Sequence, residues 1–105
     1  MELRHLRYFL AVADELHFGH AAKRLQIAQP PLSRQIHDLE EELGVTLFSR
    51  QNRKISLTPA GAVFQEKARH ILCYVDVACR LAQKADRGEL GRLAIGFFIL
   101  QWSFP

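Results

Sequence analysis

From Thr58-Pro59 to Gly88 the chain contains no further proline, and Gly61, Phe64, Ala68, Ile71, Val75, Ala78, Ala82 and Ala85 recur at steps of three and four. That spacing keeps one face of an α-helix apolar over many turns. Thr58 supplies an N-cap, Pro59 takes the first helical position, where its missing N–H costs nothing, and Gly88 marks the stop. At a rise of 1.5 Å per residue such a helix is about 40 Å long. The whole chain has 105 residues, one small domain with an appended element. So small a body does not bury a stripe of that length, and a sustained heptad predicts pairing with a second chain. Phe64, Ala68, Ile71, Val75, Ala78 and Ala82 are therefore the expected dimer interface, with small side chains that permit close approach. The alternative is a long helix packed on its own domain; its length speaks against that.

Upstream of this helix the apolar period is also helical. Leu6, Phe9, Leu10 and Ala13 predict a first helix over about residues 3–15. Phe18, Ala21, Ala22 and Leu25 repeat the spacing in a shorter second helix, with Gly19 as its expected N-cap. Gln26-Ile27-Ala28 is a short connection, and Leu32, Ile36, Leu39 and Leu43 form the stripe of a third helix that stops at Gly44. Two helices joined by so short a turn have the helix-turn-helix shape, which many helical hairpins share without binding anything. After Gly44 the period changes to two. Val45 and Leu47, then Ile55 and Leu57, alternate around the polar tip Arg50-Gln51-Asn52-Arg53, which predicts a short β-hairpin, or wing, with a positive end. The expected architecture is mainly α: a winged helix-turn-helix of three helices and a hairpin over 1–58, a long dimerisation helix over 59–88, and a segment 89–105 whose Leu93–Phe98 run reads as the first strand of a further domain.

The third helix carries the chemistry. Pro30-Pro31 cost little in a first turn, whose N–H groups have no internal partner, and they fix the chain for entry at Pro30 or Pro31. Ser33 and Arg34 lie off the Leu32/Ile36/Leu39 face and point outward, with Gln29 just ahead of them. A guanidinium bonds guanine O6 and N7 together, Gln does likewise with adenine, and Ser adapts to base or phosphate. A recognition helix meets base edges with its N-terminal residues while its far end leaves the groove. The acids Asp38, Glu40, Glu41 and Glu42 fit the far end, since phosphates would repel them. The competing reading is a solvated acidic face on a core helix, with Ser33 and Arg34 simply exposed. The net charge of +3 permits a nucleic-acid partner, and the stretch 43–65 carries Arg50, Arg53 and Lys54 without an acid.

Other classes find little support. Cys73 and Cys79, six residues apart on one helix, point in different directions and do not pair there, so reduced thiols and a cytoplasmic location are expected. Charges around the first apolar run argue against a signal peptide, and the uncharged run Leu93–Pro105 is too short for a membrane span. His17 and His20 lack a carboxylate or cysteine to complete a ligand set, and no activated nucleophile is present. No enzyme activity, metal or cofactor is expected.

The stretch "LRHLRYFLAVADELHFGHAAKRLQIAQPPLSRQIHDLEEELGVTLFSR" followed by "LTPAG" resembles the N-terminal winged helix-turn-helix of LysR-type transcriptional regulators, from Met1 to about Phe98. Its start, "MELRHLRYF", and the double proline are similar to regulators of aromatic-compound breakdown. The resemblance implies binding of double-stranded DNA at an interrupted inverted repeat. It also implies a homodimer through the linker helix, often a tetramer in the complete protein. The positions matching major-groove contacts are Gln29, Pro30, Pro31, Ser33 and Arg34; the wing positions Arg50 and Arg53, with Lys54 nearby, would approach backbone and minor groove. Family members usually carry Ser or Thr where this chain has Gly19, which weakens the expected cap and its phosphate contact. The family's effector-binding domain would follow "LAIGFF"; without it no small-molecule effector is expected. The alternative function is a helical dimerisation module that forms heterodimers with a full-length relative.

Overall fold

Leu6, Phe9, Leu10 and Ala13 are all buried on α1 (Leu3–Glu15), together with Ala11 and Val12. The computed structural model describes residues 1–89, so the expected strand at Leu93–Phe98 lies outside the described residues. The elements that follow α1 are α2 (Phe18–Leu25), α3 (Gln29–Leu43), β1 (Phe48–Gln51), β2 (Lys54–Leu57) and α4 (Pro59–Asp86). The fold is mainly helical, with a two-stranded antiparallel hairpin. The chain divides into two compact units, Met1–Leu72 and a second beginning at Cys73.

The first unit closes around aromatic rings. Phe9 is 0% exposed, and its ring centroid lies 5.3 Å from that of Phe48 and 5.0 Å from that of Phe64, the latter edge-on. Phe18 adds a further edge contact to Phe48 at 6.2 Å. Edge-on and tilted pairs suit the ring quadrupoles and add about 0.5–1.5 kcal/mol each beyond burial. Leu32, Ile36 and Leu39 of α3 complete the core with Ala21 and Ala22 of α2. Small residues on α2 let its neighbours approach closely, as the apolar spacing implies.

The structure differs from the sequence reading at several element ends. Helix α2 is capped by His17, whose Nδ1 accepts from His20 N at 3.0 Å, so Gly19 lies inside the helix and is not its cap. Helix α3 starts at Gln29, one residue earlier than expected, and both prolines sit in its first turn. Leu32 N is the first amide there with a helical acceptor, Ala28 O, which is why the prolines break no bond. The strands are shorter and later than the alternation suggested. Val45 and Leu47 precede β1, Arg50 and Gln51 belong to it, and the turn is Asn52-Arg53. Both turn residues have positive φ (53° and 63°), the twist a two-residue hairpin turn requires.

Helix α4 begins as expected: Gly61 N donates to Thr58 Oγ1 at 3.0 Å, with Pro59 as the first helical residue. Its apolar stripe, however, is divided. Ala68 is 0% exposed, and Phe64 and Leu72 pack against the core of the first unit. Phe64 and Ala68 thus make intramolecular contacts within the first unit. Their burial also carries the first unit past residue 58, to Leu72. Ile71, Ala78 and Ala82 stay exposed, and Val75 is half-buried.

Two glycines test this packing. A Cβ on Gly61 would lie 2.2 Å from the Leu47 carbonyl oxygen, a backbone atom that cannot swing aside. Gly44 ends α3 with φ +71° and open space around it. Gly44→Ala is expected to cost about 1–2 kcal/mol of left-handed strain. Gly61→Ala is expected to cost more, about 3 kcal/mol or above, because the helix must move off Leu47. Urea unfolding of the two variants measures the order; equal midpoints would contradict the close approach.

Candidate nucleic-acid interface

The first turn of α3 is exposed on one face and buried on the other. Gln29, Pro30, Pro31 and Arg34 are exposed and Ser33 is half-buried, while Leu32 and Ile36 between and beyond them are buried. The turn that delivers this helix is set by Gln26, which takes φ +58° and donates its N–H to Lys23 O, and by Ile27 N, which donates to Ala22 O. Ile27 is half-buried against the core and anchors the turn. That turn therefore holds the start of α3, where Gln29, Ser33 and Arg34 offer amide, hydroxyl and guanidinium groups beside the two exposed prolines.

The hairpin supplies the second group. Arg50, Arg53 and Lys54 are all exposed. The Arg50 guanidinium carbon lies 4.7 Å from the centre of the Phe18 ring, a cation–π contact that joins β1 to the start of α2. Arg53 stands in the turn itself, in a conformation that a glycine would adopt more easily. Arg24, by contrast, lies within 3.3 Å of Asp14 Oδ2 and Glu15 Oε2, and Asp14 also bridges to Arg69 of α4. One carboxylate at the end of α1 thus ties α2 and α4 together.

The acids at the far end of α3 are not one uniform face. Glu42 pairs with the N-terminal amine at 2.8 Å, and His37 Nε2 lies 3.1 Å from Glu41 Oε1. Glu40 is half-buried, and its Oε2 accepts the N–H groups of Leu47 and Phe48. Sequence spacing gives no sign of that role, because the partners lie seven and eight residues away across an irregular loop. The His17 cap had a weak sign, the i, i+3 spacing of two histidines, whose rings stack with centroids 3.9 Å apart. Among the described residues no group of three or more His, Cys, Asp or Glu side chains could hold a metal ion, and no helix is long and apolar enough to cross a membrane. Cys73 and Cys79 are free thiols.

Comparison with known proteins gives the same outline. The family model described as "Bacterial regulatory helix-turn-helix protein, lysR family" matches residues 3–62. The chain is 57% identical over 97 residues to the HTH-type transcriptional regulator AlsR of Bacillus subtilis (strain 168), covering 92% of this chain and 32% of that protein. It is similar to the BenM DNA-binding domain in complex with catB site 1 DNA, with a TM-score of 0.82 and 48% identity over 88% of this chain and 99% of that one. The CbnR DNA-binding domain in complex with DNA gives a TM-score of 0.79 and 45% identity, over 82% and 99% of the two chains. The chain spans about a third of the length of AlsR and of most of the curated relatives it matches.

The cap at the start of α2 can be checked directly. His17→Ala removes the acceptor for His20 N and is expected to lower stability by about 1 kcal/mol, whereas His17→Asp, a better cap, keeps or raises it. Thermal unfolding at neutral pH distinguishes the two; a His17→Ala midpoint equal to the parent's contradicts the cap.

Proposed function

Because the chain belongs to the LysR family of bacterial regulatory helix-turn-helix proteins and carries that family's DNA-binding domain, we propose that it binds double-stranded DNA sequence-specifically as a homodimer, in the cytoplasm, to regulate transcription. The observation that carries this reading is the exposed first turn of α3 on a helix whose other face is buried. Arg34 and Gln29 contact base edges in the major groove, Ser33 bonds base or phosphate, and Pro30 and Pro31 press against sugars or thymine methyls. Arg50, Arg53 and Lys54 approach the backbone and minor groove from the hairpin. Solved complexes of the BenM and CbnR DNA-binding domains with DNA support a duplex as partner.

The dimer forms through the exposed and half-buried residues of the α4 stripe: Ile71, Val75, Ala78 and Ala82. Pairing brings two recognition helices onto half-sites of an interrupted inverted repeat, since a two-fold protein matches a two-fold site. No catalytic step is assigned to this chain.

Arg34→Ala is expected to cost about 1–3 kcal/mol and to relax preference at one base position. Arg53→Ala is expected to weaken all sequences alike and to reduce the salt slope of log K by about 1. Selection from a random duplex pool followed by binding titrations at several salt concentrations measures both; an Arg34→Ala chain that binds every site as tightly as the parent overturns the recognition-helix assignment. Ile71→Glu is expected to shift the chain from dimer to monomer in light scattering, and an unchanged mass would remove Ile71 from the interface.

A further inference from the structure

We infer that Glu40 is a positioning residue for the wing, fixing where the hairpin's cations stand relative to Arg34. The inference rests on the DNA-binding reading above. Glu40 Oε2 accepts two backbone N–H groups at once, from Leu47 at 2.6 Å and Phe48 at 3.2 Å. These amides sit where the chain has left α3 and is just entering the β1–β2 ladder. The Leu47 side chain is buried, and without Glu40 both part-buried donors would lack a charged acceptor.

The same residue closes α3. Its carbonyl oxygen accepts Gly44 N at 2.8 Å and Val45 N at 3.2 Å. Helix end and strand start are therefore held by the backbone and side chain of one residue. From the opposite side Thr58 donates its N–H to Leu47 O at 3.0 Å and its hydroxyl to Thr46 O at 2.6 Å, while Gly61 lets α4 lie directly against Leu47 O. The strand entry is thus clamped between α3 and the start of α4. From Phe48 it is three residues along β1 to Gln51 and then the Asn52-Arg53 turn, so a tilt at the clamp is carried to the tip. Asp38, Glu41 and Glu42, the neighbouring acids, are exposed, which sets the half-buried Glu40 apart from a solvated acidic face.

A double-mutant cycle tests the inference. Wing-tip contacts are removed by Arg53→Ala with Lys54→Ala, in the parent and in chains carrying Glu40→Ala or Glu40→Gln. Gln keeps an oxygen of similar reach, so it separates the acceptor from simple loss of stability. Affinity for a selected duplex is read at low salt, together with amide hydrogen exchange of each chain. The tip change is expected to cost about tenfold in the parent and in Glu40→Gln, and about twofold in Glu40→Ala, a coupling of the size that linked residues show. Faster exchange at Leu47, Phe48 and the hairpin, with α1 and α2 unchanged, is expected for Glu40→Ala alone. Equal tip costs in all three backgrounds overturn the inference, as does unchanged hairpin exchange in Glu40→Ala. If the parent binds no duplex, the DNA-binding reading falls, and the role of Glu40 at the interface falls with it. If the parent binds and only the cycle is additive, the DNA-binding reading stands and Glu40 alone is displaced.

Discussion

The ring of Phe9 makes contact with both elements that a three-helix body does not itself contain: Phe48 at the base of the hairpin and Phe64 on the long helix. Because Phe9 is on α1 and wholly buried, any shift of hairpin or long helix must displace a ring with no room to turn. Phe18, at the start of α2, closes the set against Phe48. Four aromatic side chains from four elements therefore fix the hairpin and the start of α4 against α1 and α2. The helix-turn-helix pair, the hairpin and the start of α4 act as one body because they share this core.

Polar contacts then refine what the aromatic core allows. Around the Leu47 carbonyl, Thr58 donates and Gly61 makes room; around the Leu47 and Phe48 amides, Glu40 accepts. Asp14 draws Arg24 and Arg69 to the far end of α1. Exposed ion pairs of that kind contribute little to stability. The half-buried Glu40 bonds are of a different kind, because they satisfy backbone groups that water does not reach freely.

Much of this was legible from periodicity. The α1 stripe, the short turn before α3, the stop at Gly44 and the Thr58-Pro59 start each rest on a local rule, and each element formed where its rule placed it. Two of the departures share one cause. Gly19 is the expected cap of the second helix, yet His17 Nδ1 accepts from His20 N and takes that place. Val45 and Leu47 alternate like strand residues, yet the strand begins at Phe48, because Glu40 and Thr58 take up the backbone groups before it. In both places a side chain bonded to the backbone and replaced the regular pattern, and such bonds leave no periodic trace.

The long heptad shows the division most clearly. Sequence alone determined that residues 59–86 are helical and that one stripe of them is apolar, since both follow from spacing and from the missing prolines. It likewise determined which polar side chains stand at the start of α3, because Leu32, Ile36 and Leu39 leave them no inward direction. What covers the apolar stripe was decided by tertiary structure. Phe64, Ala68 and Leu72 went to the chain's own core, while Ile71, one helical step round, was left 44% exposed. A hydrophobic period specifies a face and its length, but burial is non-directional, and only the shape of the surrounding core determines which residues of that face it takes.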